Sequence, residues 1–119
     1  MFHLGSEHRY YLYRNSCDMR KSFDGLCGLV QNNLHRNPLS GDVFIFLNKL
    51  CTHIKLLHWE EGGFVLYYKR LESGRISLPK MGLDNRILYS DLVLMIAELR
   101  CLKADKKRGI NFAESAPDS

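Results

Sequence analysis

The clearest hydrophobic pattern in the chain lies between Asp42 and Glu72, DVFIFLNKLCTHIKLLHWEEGGFVLYYKRLE. It consists of three apolar runs separated by two short polar interruptions. The runs are rich in β-branched and aromatic residues, and Gly62-Gly63 closes the second interruption, so the segment predicts three antiparallel strands joined by tight turns. Ahead of it, the alternating run His8 to Arg14 predicts another strand. Met19, Phe23, Leu26, Val30 and Leu34 then recur at helical spacing, which predicts an amphipathic helix capped by Ser16 or Asp18 and running to about His35. Beyond the meander, RISLP reads as an edge strand ending at Pro79, and RILY as a further short strand. Ser90 stands where an N-cap belongs, before a second stripe of Leu92, Met95, Ile96, Leu99 and Leu102. This order implies an α+β fold in a single domain. Its sheet is mainly antiparallel around a central three-strand meander, with one helix before the meander and one after it. The domain is expected to span residues 1–103, with 104–119 as a basic, then polar, flexible tail.

Turn geometry and alternation sort the meander into two faces. A two-residue turn at Glu61-Gly62 sets Trp59 against Phe64, Leu57 against Leu66, Lys55 against Tyr68 and His53 against Arg70. A two-residue turn at Lys49-Leu50 sets Ile45 against Ile54, Val43 against Leu56 and Phe46 against His53. One face then carries Val43, Ile45, Leu47, Ile54, Leu56, Val65, Tyr67 and Leu71, and is expected to receive the first helix. The other carries Leu57, Trp59, Phe64 and Leu66 at one end, and Phe44, Phe46, His53, Lys55, Tyr68 and Arg70 at the other. Basic and aromatic groups mixed on a sheet suit stacking on bases and neutralising phosphates. The alternative is that the second helix covers this face and the charged heads snorkel at its rim.

Composition narrows the function classes only modestly. The chain has 119 residues, enough for a core without disulfide or metal support, and a net charge of +4 that does not by itself announce nucleic acid. Cys17, Cys27, Cys51 and Cys101 are too widely spaced for a CxxC pair and read as free thiols in a reducing compartment. No apolar run is long enough to span a membrane, and the N-terminus lacks the pattern of a secretory signal, so a cytoplasmic location is expected. Lys103, Lys106, Lys107 and Arg108 crowd together, either as a solvated helix end or as a phosphate-contacting arm.

Catalytic constellations are weak. Nucleophile-elbow, Walker and zincin motifs are all absent, and the Asp105-Lys106-Lys107 run lies in the tail rather than on a strand. His58 beside Trp59 and Glu60 reads as a hydrogen-bonded sheet histidine. Neither a metal nor a cofactor is implied. A glycine-aromatic run at Gly62 to Tyr67 lacks the basic residue and element order of an RNA-recognition domain.

Taken together, DMRKSFDGL (Asp18 to Leu26), LSGDVFIFLN (Leu39 to Asn48) and IKLLHWEEGGFVLYYKRLE (Ile54 to Glu72) closely resemble the small TnpB, or second-reading-frame-like, accessory proteins of the 66 family of bacterial insertion sequences. The resemblance covers about residues 4 to 79. It implies a non-enzymatic accessory factor in DNA transposition, encoded beside a DDE-type transposase that carries the catalytic carboxylates. The transposase is the implied partner, with element-end DNA as a second. The chain departs from the family pattern at Lys49-Leu50-Cys51, which replaces a more basic run and weakens a DNA role for that turn. The residues expected to contact nucleic acid are Arg9, Lys55, Lys69, Arg70 and Arg75 through phosphates, with His53 beside them and Phe44, Phe46 and Tyr68 as stacking groups. A rival reading from another class is a protein adaptor. In it Leu57, Trp59, Phe64 and Leu66 form an open apolar patch that docks the transposase or a second copy, giving a homodimer. A metal-dependent nuclease is a third, weaker reading.

Overall fold

The strand β2 (Val43–Leu47) is buried along its whole length. Successive strand side chains point to opposite faces, so an all-buried strand requires cover on both sides of its sheet. The computed structural model, which describes residues 4–80 and 84–96, provides that cover. β1 (Tyr10–Leu12), β2, β3 (His53–Glu60), β4 (Gly63–Arg70) and β5 (Arg86–Ile87) form a five-stranded sheet in the order β4-β3-β2-β1-β5. Helix α1 (Phe23–Asn32) connects β1 to β2, and α2 is helical over residues 89–96 of the described chain. β1 and β2 run parallel and the other neighbours antiparallel. A parallel pair needs a long crossover rather than a hairpin, and α1 supplies it. The fold is α+β, as the sequence pattern implies.

The two faces hold the residues that alternation assigns to them, but the helices lie on the opposite sides from those expected. Leu26 and Val30 of α1 pack against Tyr11, Phe44, Phe46 and Leu57. Leu92 and Met95 of α2 pack against Tyr10, Leu12, Val43, Ile45, Leu47, Ile54 and Leu56, joined by Ile76. Alternation decides which residues share a face. It says nothing about which helix comes to that face, and here that depends on the route of the crossover.

The register of β3 on β4 is as expected, including Trp59 opposite Phe64 and His53 opposite Arg70. Gly62, at φ 85, makes the tight connection in a conformation that L side chains rarely adopt. The β2–β3 register differs by two residues, with Leu47 opposite Ile54 and Ile45 opposite Leu56. The connection is longer than a two-residue turn because Asn48 organises it. Its Oδ1 accepts from the backbone N–H groups of Thr52 and His53, both at 2.9 Å, and Cys51 adopts a left-handed φ of 56. A slip of two preserves face identity, which is why the sorting survives the error.

Element ends differ as well. α1 begins after Ser22, whose side chain makes no cap bond. Asp18 instead accepts from the Arg20 backbone N–H at 2.9 Å in a local turn. The helix stops before His35, which takes a left-handed φ of 54. At α2, Asp91 Oδ2 accepts from the Leu88 N–H at 3.1 Å, as the acidic member of a capping box does, so Ser90 is not the cap. The expected RISLP strand is absent. Ile76 is buried instead, and its N–H donates to the Cys51 carbonyl at 2.8 Å. The expected 104–119 tail lies outside the described residues.

Because Phe46 is fully buried beneath α1, Phe46→Ala should cost about 3–5 kcal/mol. A lowered urea midpoint with an unchanged denaturant slope is the measurement that checks it.

Candidate nucleic-acid interface

Strand directions determine which charged residues meet. β1, β2 and β4 end, and β3 begins, at the same pole of the sheet. Arg14 follows β1, Lys49 lies in the β2–β3 loop, His53 opens β3, and Tyr68, Lys69 and Arg70 close β4. Arg75 joins them because the neighbouring Ile76 is bonded to the Cys51 carbonyl of the same loop. Lys49, Arg70 and Arg75 are exposed and Lys69 is half-buried. The His53 and Tyr68 rings lie 6.0 Å apart, and the exposed Tyr68 ring sits at the sheet margin. His53 is held from below, with its Nδ1 2.8 Å from Thr52 Oγ1 and 3.2 Å from Asn48 Nδ2. Between the end of β1 and this loop lies a cleft of about 160 Å³, with Arg14, Asn15, Ser16, Asn48 and Lys49 among its lining residues. Asp18 and Glu72 also lie at this pole. Asp18 is held in a fork by Arg20, with contacts down to 2.7 Å, which keeps its carboxyl well below the usual carboxylate range. Glu72 lies 4.0 Å from Arg70.

Several expected site residues have structural employment instead. Phe44 and Phe46 are fully buried under α1, so no base can stack on them. Lys55 is also buried, and its ammonium donates to the carbonyls of Met19 (2.8 Å) and Lys21 (2.7 Å) while lying 4.7 Å from the Tyr68 ring centroid. It therefore ties the segment leading into α1 to the sheet rather than facing a phosphate. Arg9 stands at the opposite pole and forms a double contact with buried Asp42, at 2.9 and 3.4 Å. The expected apolar patch is mostly closed. Leu57 is fully buried, Phe64 and Leu66 are half-buried beside α1, and Trp59 packs edge-to-face on Phe64 at 4.9 Å. Arg14 and Lys49 were not among the expected contacts. Their signal was positional, since each follows a strand that ends at the same pole.

An IS66 Orf2-like family model matches residues 8–106, an interval that contains every strand and both helices described above. The chain belongs to the IS66 Orf2-like family. Two relatives come from Sinorhizobium fredii, and each is described as an uncharacterized protein. One, y4jC, is 37% identical over 62 residues, covering 52% of this chain and 53% of the relative. The other, y4hO, is 35% identical over 80 residues, covering 66% and 69%. The match to y4jC thus spans about half of that protein's length. No solved structure matches significantly. Membership of an insertion-sequence family supports an accessory role in transposition.

The opposite pole of this Orf2-like chain is acidic and histidine-bearing, with Glu7, Asp42, Glu60 and Glu61. His8 and His58 meet edge-to-face at 4.9 Å, and Glu60 lies 3.7 Å from His58 Nε2. Burial, reinforced by His8, pushes the His58 imidazole below its ordinary value of 6.5. Among the described residues no three His, Cys, Asp or Glu side chains are placed to hold a metal ion. No described helix is long and apolar enough to cross a membrane.

Two outcomes follow from this geometry. Lys55→Met leaves the Met19 and Lys21 carbonyls without their donor and should cost about 1–3 kcal/mol by urea unfolding. His58 binds a proton more readily in the unfolded chain. Stability should therefore be complete above about pH 6.5 and fall as pH drops through the lower folded value. Melting temperatures measured from pH 7.5 to 5 should drop more in the native chain than in His58→Gln.

Proposed function

We propose that this Orf2-like protein assists transposition of its insertion sequence by gripping element-end DNA at the basic pole, beside a separate transposase that performs the strand chemistry. Family membership supports the transposition setting. The convergence of Lys49, Arg70 and Arg75 at one end of the sheet carries the DNA-binding part of the reading, because the nearby Asp18 is occupied by Arg20, while Glu7, Asp42, Glu60 and Glu61 lie at the other end. Arginine suits this role, since its planar fork pairs with phosphate oxygens and cannot be deprotonated. The His53 ring lies beside Arg70, its cross-strand partner. The protein's part is to position DNA, which phosphate contacts do without reading sequence.

Binding of a labelled duplex carrying the element terminus should weaken steeply with salt. Lys49→Ala combined with Arg75→Ala should reduce the slope of log affinity against log salt by about 2, since each phosphate contact contributes about 0.9. Lys55→Met should leave that slope unaltered. An unchanged slope and affinity in the Lys49/Arg75 double variant would remove the basic pole from DNA binding.

A further inference from the structure

We propose that β4 pairs antiparallel with β4 of a second copy, joining two sheets edge to edge. β4 is an outer strand of the sheet, bonded to β3 along one side, with no described strand on the other. An open edge presents a row of backbone donors and acceptors that templates pairing with another strand. Sheet edges are commonly blunted by shortness, proline, a bulge or inward-pointing charge. The opposite edge strand, β5, is short, at two residues. β4 has eight residues, and from Phe64 to Tyr68 it carries neither charge, proline nor glycine.

The occupant is argued from charge. Glu61 stands in the turn two residues ahead of β4, and Lys69 and Arg70 end the strand. A turn-and-strand segment with an acid ahead of its start and two cations at its end is self-complementary when two copies run antiparallel. Parallel pairing would set like charges side by side.

The two-fold symmetry of such a pair narrows the register. Residues opposite one another must share a face, so the axis passes through a residue rather than between two. With the axis at Leu66, Phe64 faces Tyr68 of the second copy and Val65 faces its Tyr67. These are aromatic and aromatic–β-branched cross-strand pairs of the kind that stabilise sheets. Lys69 then faces Gly63 of the second copy, two positions from the Glu61 in that copy's turn. The pairing covers the half-buried Phe64, Leu66 and Tyr67 side chains and the exposed Tyr68 ring, which sit at the margin of the two cores.

Sedimentation equilibrium of the full chain without DNA tests this independently of the DNA-binding reading. The native chain should associate as a dimer. Lys69→Glu and Glu61→Lys should each weaken association about tenfold, because the symmetric pair contains the contact twice. The combined Lys69→Glu/Glu61→Lys chain should recover most of the affinity, since the swap restores opposite charges. Amides along β4 should exchange more slowly with solvent deuterium as protein concentration rises. A chain that stays monomeric at a few hundred micromolar, or a dimer indifferent to both single substitutions, would overturn the proposal. So would a dimer whose β4 amides exchange equally fast at all concentrations.

Discussion

Everything in this fold depends on the need to cover β2 on both sides. Val43, Ile45 and Leu47 point one way and Phe44 and Phe46 the other, and all are buried. One exposed face would put a large apolar area in water, at about 25 cal/mol for each Å² left uncovered. The chain therefore needs a helix on each side of the sheet. The parallel placement of β1 beside β2 lays α1 against Phe44 and Phe46, and α2 closes the other face. The meander looked like a binding surface because its aromatics are numerous, but most of those aromatics serve this sandwich.

Once both faces are filled, little of the sheet is left for a partner except its ends and its outer strand. Polarity is accordingly expressed along the strands rather than across them. Exposed Arg14, Lys49, Arg70 and Arg75 gather where β1, β2 and β4 end, and Asp42, Glu60 and Glu61 lie at the other pole. Lys55 belongs to neither group. Its ammonium stays within a sheet face because two backbone carbonyls at the entrance to α1 satisfy it, and in doing so it locates that entrance. A cation that would strengthen a phosphate site is thereby committed to holding the helix in place.

Particular residues show how far the sequence could be read. The Glu61-Gly62 turn is a short-range signal with few geometric solutions, and the β3–β4 register follows from it. The Lys49-Leu50 turn looked equally short. Its real length depends on the Asn48 side chain bonding forward to Thr52 and His53, which no hydrophobic pattern reveals. Asp18 resembled a cap, but Arg20 holds it in a separate turn ahead of the helix. Of the expected contact residues, Arg70 and Arg75 are exposed at the basic pole, whereas Phe44, Phe46, Lys55 and Leu57 are interior and Arg9 is bound to Asp42.

By itself the sequence determined the α+β class, the meander, the assignment of side chains to faces and the family resemblance. These depend on local periodicity, turn chemistry and motif order, all of which act within a few residues along the chain. Only the tertiary structure decided which helix covers which face, which cations remain available and which strands are outermost among those described. Those outcomes depend on contacts such as Lys55 with Met19 and Arg9 with Asp42, between residues more than thirty positions apart. Such pairs leave no periodic trace in the sequence, because folding alone brings them within reach.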